Sequence, residues 1–174
     1  MAGASSAIGF HEGIRPPPYH DVLLLSCPPP SRKPPMHRTH AIAYAATALA
    51  FLALDSVWLG TMAQRLYRPN IGHLMQEGVS FAPAVVFYLL YVAGMVFFAV
   101  VPGVEKQSWQ QALGLGAALG LVAYATFGLT NQAVLRDWPW HVTAMDMAWG
   151  TVATGAASAI ACAVVLRWFP PASA

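Results

Sequence analysis

Residues 41–60 read AIAYAATALAFLALDSVWLG. Across these twenty residues there is one charge, Asp55. A helix needs about 20 apolar residues to cross the hydrocarbon core of a bilayer. Lipid offers no water to backbone N–H and C=O groups, so an apolar run of this length must close its own hydrogen bonds as a helix. A carboxylate placed in such a helix costs about 2.5–3.5 kcal/mol near its centre. That cost marks Asp55 as a functional-site candidate.

Working outward, the pattern recurs. The chain shows four apolar blocks, at about residues 40–62, 81–101 (closed by Pro102), 111–134 and 140–166. Strands of a membrane barrel would alternate polar and apolar residues over about ten positions, and these blocks do not. The expected fold class is all-α: an integral membrane protein whose residues 39–168 form a four-helix antiparallel transmembrane bundle. Residues 63–80 read as a longer loop, 102–110 as a short one and 135–139 as a very short one. In the last, Asp137 is placed to cap the fourth helix and Pro139 suits its first turn. Short loops favour antiparallel neighbours.

Composition points the same way. Apolar residues make up 57% of the 174 and charged residues 9%, against about 25% charged in an ordinary soluble domain. The net charge of +2 comes without a basic run, which excludes nucleic acid as a partner. Cys27 and Cys162 are far apart in unlike contexts, so neither a disulfide framework nor a zinc site is expected. Residues 1–38 hold Pro16–Pro18, Pro28–Pro30 and Pro34-Pro35 and read as a disordered tail. Its apolar stretch, Val22–Leu25, is shorter than the roughly 7–15 residues of a signal-peptide core. Met36, directly before the first block, is an alternative start.

Asp146-Met147-Ala148-Trp149 in the fourth block repeats the spacing of Asp55-Ser56-Val57-Trp58 in the first. Antiparallel order brings Asp55, Trp58, Tyr88, Thr130, Asn131, Asp146 and Trp149 to similar depth in one half of the membrane. Helical spacing groups Asp55, Trp58, Met62 and Arg65 in one stripe, and Thr143, Asp146, Trp149 and Ala153 in another. Ala84, Tyr88, Tyr91 and Met95 form a third, and Gly116, Gly120, Tyr124, Phe127 and Asn131 a fourth. Polar atoms on these stripes would be unsatisfied against lipid, so all four are expected to face inward. Gly116 and Gly120, with Gly150 opposite, are expected to let two helices approach closely.

At these residues the chain resembles the bacterial membrane proteins of the domain of unknown function 2177 family. The matching segments are Leu54-Asp55-Ser56-Val57-Trp58-Leu59-Gly60, Pro83-Ala84-Val85-Val86-Phe87-Tyr88, Leu129-Thr130-Asn131-Gln132-Ala133 and Asp146-Met147-Ala148-Trp149-Gly150, in that order, within roughly residues 40–166. The resemblance implies a four-helix integral membrane protein and no particular activity. One departure matters: the family pattern carries an acidic residue directly before the Leu-Thr-Asn segment, where this chain has Gly128. The candidate site is therefore read with two carboxylates.

Carboxylates within a few ångströms of each other would titrate together. Asp55 and Asp146 could bind a proton or a cation, Trp58 and Trp149 could offer cation–π faces, and Asn131, Thr130 and Tyr88 could orient a ligand. The bland alternative is that the acids pair with Arg65 or Arg136 and fix helix register. No nucleophile-and-base spacing, phosphate loop or His-rich motif is present, so nothing marks an enzyme, and no metal or cofactor is expected. The leading expectation is binding or carriage of a small polar or cationic solute, or of protons, by a chain that oligomerises to make a pathway. Its rivals are an intramembrane enzyme acting on a lipid-like substrate and an accessory subunit of a membrane complex. Location in the bacterial plasma membrane is expected. Lys and Arg number six on the terminal side against three on the other, which favours cytoplasmic termini. Counted from Met36, three face three and no direction remains.

Overall fold

The computed structural model describes residues 36–168, with side chains from Thr39 onward. The expected Pro-rich tail, the alternative start and Cys27 concern residues outside this range or at its edge. Helix α1 (Met36–Met62) runs into a π-helical turn at Ala63–Tyr67, a short helix α2 (Arg68–Ile71) and a 3-10 turn at Gly72–Leu74. Helix α3 (Phe81–Met95) passes through a second π-helical turn, Val96–Val100, into α4 (Val101–Glu105). Helices α5 (Trp109–Val134) and α6 (Trp140–Trp168) complete the chain. Four stretches are long and apolar enough to cross a membrane: Thr39–Leu74, Phe81–Glu105, Trp109–Val134 and Trp140–Trp168. No strand occurs among the described residues. The protein is an all-α, multi-pass membrane protein.

Helix α6 is the centre of the bundle. Its small residues Gly150, Ala153, Thr154, Ala157, Ser158 and Ala161 are all buried. A Cβ built on Gly116 would lie 2.6 Å from Ser158 Oγ, and one on Gly120 would meet the Gly150 backbone and Thr154 Oγ1. The ring of Tyr124 occupies the space over Gly150. Helices α5 and α6 thus touch backbone to backbone, as small residues allow in lipid. Around them Phe51, Met95, Ala153 and Ala157 form one apolar cluster, and Ala43, Val92, Val96, Val100, Ala112 and Val165 belong to a second. Outward positions such as Leu49, Val57, Leu90, Val122, Val152 and Ile160 are exposed apolar side chains, the surface a bilayer solvates.

Three expectations change. The first span does not end at Met62: helical structure continues to Leu74 through residues read as a loop. There the backbone stays bonded in π register, with Arg68 N–H donating to Ala63 C=O. Leu66 is buried in a cluster with Trp138 and Val142. Pro102 does not close the second span either. It stands in the first turn of α4, directly after the π turn, where its missing N–H is tolerated. Asp137 makes the turn before α6 with φ 57°, a left-handed conformation that Asp tolerates. The first bond of α6 runs from Val142 N–H to Pro139 C=O.

Candidate functional site

Asp55 and Asp146 are buried, 6% and 5% exposed, and both line one cavity of about 540 Å³. Tyr88 Oη donates to Asp55 Oδ2 at 2.5 Å, and Trp149 Nε1 makes a long contact of 3.4 Å to Asp55 Oδ1. Tyr67 Oη donates to Asp146 Oδ1, and itself accepts from Trp58 Nε1 at 3.0 Å. Trp58 and Trp149 lie face to face, with centroids 4.5 Å apart and planes 6° from parallel. Each acid is thus held by groups on other parts of the bundle, and all of these donors are neutral. The exposed Arg65 and Arg136, weighed as partners from sequence, supply none of them.

The stack fixes the relative level of α1 and α6. Each aspartate is three residues before its tryptophan, and the helices run in opposite directions. Asp55 and Asp146 therefore fall on opposite sides of the stacked pair, about 9 Å apart along the axis at 1.5 Å per residue. Each has its own tyrosine.

Aromatic side chains make up much of the remaining lining: Phe87 and Tyr91 from α3, Tyr124 and Phe127 from α5, with Ile71 and Met75 from the chain beyond α1. Tyr91 Oη also bonds Thr154 Oγ1 at 2.9 Å, which ties α3 to the central helix. Sequence spacing turns Tyr91 and Tyr124 inward without marking them as site residues. Tyr67 it misses altogether, because residues 63–80 read as a loop.

Tyr88, Trp58 and Trp149 are in the lining with the two acids. Thr130 and Asn131 are not. Thr130 Oγ1 turns back to the carbonyls of Thr126 and Phe127 in its own helix. Asn131 lies one turn beyond Phe127, the last residue of α5 in the lining. Gly128, where the family pattern has an acid, faces Thr143: an added Cβ would lie 2.8 Å from Thr143 Cγ2. Thr143 is already engaged, accepting from Trp138 Nε1 at 3.0 Å. This packed spot has no room for a third carboxylate.

The family model described as predicted membrane protein (DUF2177) matches residues 40–163. The chain belongs to this family. No curated protein and no solved structure matches it. The DUF2177 match covers all four spans up to Ala163 and every residue of the cavity lining.

Proposed function

We propose that this protein binds a small organic cation, an amine or quaternary ammonium, inside the membrane in the Asp55–Asp146 cavity. The observation that carries this reading is the pair of buried carboxylates held only by neutral donors. A carboxylate has about four acceptor positions. Asp55 uses two and Asp146 one on protein donors, which leaves acceptor capacity on both acids for a ligand. A buried charge without an opposite charge is costly, so an occupant that brings a positive charge is favoured over a neutral or anionic one. The aromatic faces around the acids favour the same occupant, since a cation within about 6 Å of a ring centroid gains cation–π attraction. Carriage of that cation across the membrane is the natural extension. With the termini in the bacterial cytoplasm, as the six-to-three Lys/Arg count favours, the cavity lies in the outer half of the bilayer.

The test is thermal stability of the purified full-length protein with tetraethylammonium and simple amines, against neutral and anionic molecules of similar shape. The cations are expected to raise Tm, and Asp55→Asn and Asp146→Asn each to reduce that shift. Equal shifts from the neutral molecules, or cation shifts that survive both substitutions, would overturn the reading.

A further inference from the structure

Resting on that cation reading, we infer that the ligand is an amphiphile, a cationic head on a hydrocarbon tail, and that it reaches the cavity sideways from the lipid between α3 and α5. The α3–α4 span packs on α5 chiefly through its later part, Val96–Glu105, whereas the earlier part, Phe81–Met95, packs on α1. The backbone of the first half of this span is therefore not closely packed on α5, and the two are bridged at the depth of Tyr91 by its edge contact with Tyr124, ring centroids 6.4 Å apart.

The residues on the two sides of this opening are apolar. Ala84 and Phe87 line it from α3, and Ala123 and Phe127 from α5. Phe87 is 44% exposed and Phe127 54%, so these rings face outward as well as into the cavity. The alanines leave a gap that larger side chains would fill. Towards the membrane surface the lining is Tyr67, Ile71 and Met75, which offers a hydrated solute little polar passage. A strongly hydrated small ion crossing either side would lose its water without replacement. A tail already dissolved in lipid loses nothing by resting against Phe87 and Phe127, because hydrocarbon is as apolar as the protein surface it meets. The head alone must be recognised, and the aspartates and aromatic rings are set deeper than the opening to do so.

Photolabelling of the full-length protein in lipid nanodiscs tests this. The probe is decylamine with a photoactivatable diazirine at the far end of its chain. Adducts are expected on segments Ala84–Phe87 and Ala123–Phe127, and are expected to be lost with excess unlabelled decylamine and in the Asp55→Asn/Asp146→Asn protein. Ala123→Leu and, separately, Ala84→Leu narrow the opening and should each reduce the labelling; two sites guard against one variant failing to fold. Adducts confined to residues 72–80 would show access from the water side and overturn the inference, as would labelling indifferent to the aspartates or to both leucine variants. If the probe fails to label while tetraethylammonium still raises Tm, the cation reading stands and lateral access falls. If neither ligand binds, both fall.

Discussion

Trp58 and Trp149 stack at 4.5 Å with their planes 6° apart, and each belongs to an Asp-x-x-Trp segment on one of two antiparallel helices. The stack is the hinge of a reciprocal arrangement. Trp149, from the segment of Asp146, contacts Asp55, while Trp58, from the segment of Asp55, reaches Asp146 through Tyr67. Position along one helix is thereby tied to position along the other. A single sliding step of α1 on α6 would break the stack, the Trp149–Asp55 contact and the Tyr67–Asp146 bond together.

The stack should be measurable as a coupling. Trp58→Leu and Trp149→Leu, alone and together, form a double-mutant cycle. Aromatic pairs contribute about 0.5–1.5 kcal/mol beyond the area they bury, so the double variant should be less destabilised than the sum of the singles by about that amount. Unfolding in denaturing detergent reads it. Strict additivity would mean the rings are neighbours without interacting.

Tyr67→Phe removes the donor to Asp146 and the acceptor of Trp58 Nε1 while keeping the ring. Leaving a buried polar group unpaired costs about 1–3 kcal/mol, so the same unfolding assay should show a loss of that size. Tyr88→Phe does the equivalent at Asp55. Adding Asp146→Asn to Tyr67→Phe should cost less than the two singles summed, because a neutral amide is less costly to leave without that donor. Additive losses would place Tyr67 outside the carboxylate's environment.

Two glycines of α5 give opposite expectations for the same substitution. At Gly120 an added Cβ meets the backbone of Gly150, and backbone cannot rotate away. Gly120→Ala should therefore force α5 and α6 apart and cost about 1–3 kcal/mol, the usual range for overpacking. At Gly114 a Cβ meets nothing within 4 Å. Gly114→Ala should be neutral or stabilise by up to about 1 kcal/mol through helix propensity. Thermal unfolding of the two variants side by side decides it, and equal effects would exclude the close α5–α6 contact.

The four spans and the inward face of α6 were legible in the sequence because length, apolar content and the 3.6-residue period survive any detail of packing. Asp55, Trp58, Tyr88, Asp146 and Trp149 followed from that period. Thr130 and Asn131 are outside the cavity lining. Depth alone suggests Thr130, but a threonine in a helix can satisfy its hydroxyl on its own backbone, and Thr130 does. Asn131 shares the inward stripe but lies one turn beyond Phe127, the last residue of α5 in the lining. Tyr67 was hidden for a different reason. A regular helix advances about 100° per residue, so Tyr67 would point about 120° away from Asp55. The π turn at Ala63–Tyr67 holds one residue more than an α turn, which returns Tyr67 to within about 20° of the Asp55 direction. Nothing in the periodicity of residues 63–67 signals that extra residue.

That arithmetic yields a test by deletion. Gln64 is exposed within the π turn. Removing it should leave a regular helix in which Tyr67 still faces Asp146, since the deletion removes the residue that the wider turn had absorbed. Inserting an alanine after Gln64 should instead swing Tyr67 by about 100° and break its bond to Asp146. The Tyr67→Phe penalty of about 1–3 kcal/mol reports which has happened. It should persist in the deletion background and vanish in the insertion background. The reverse pattern would mean that the π turn does not set the direction of Tyr67, and that the tyrosine is held over Asp146 by the packing of Leu66 on Trp138 and Val142 alone.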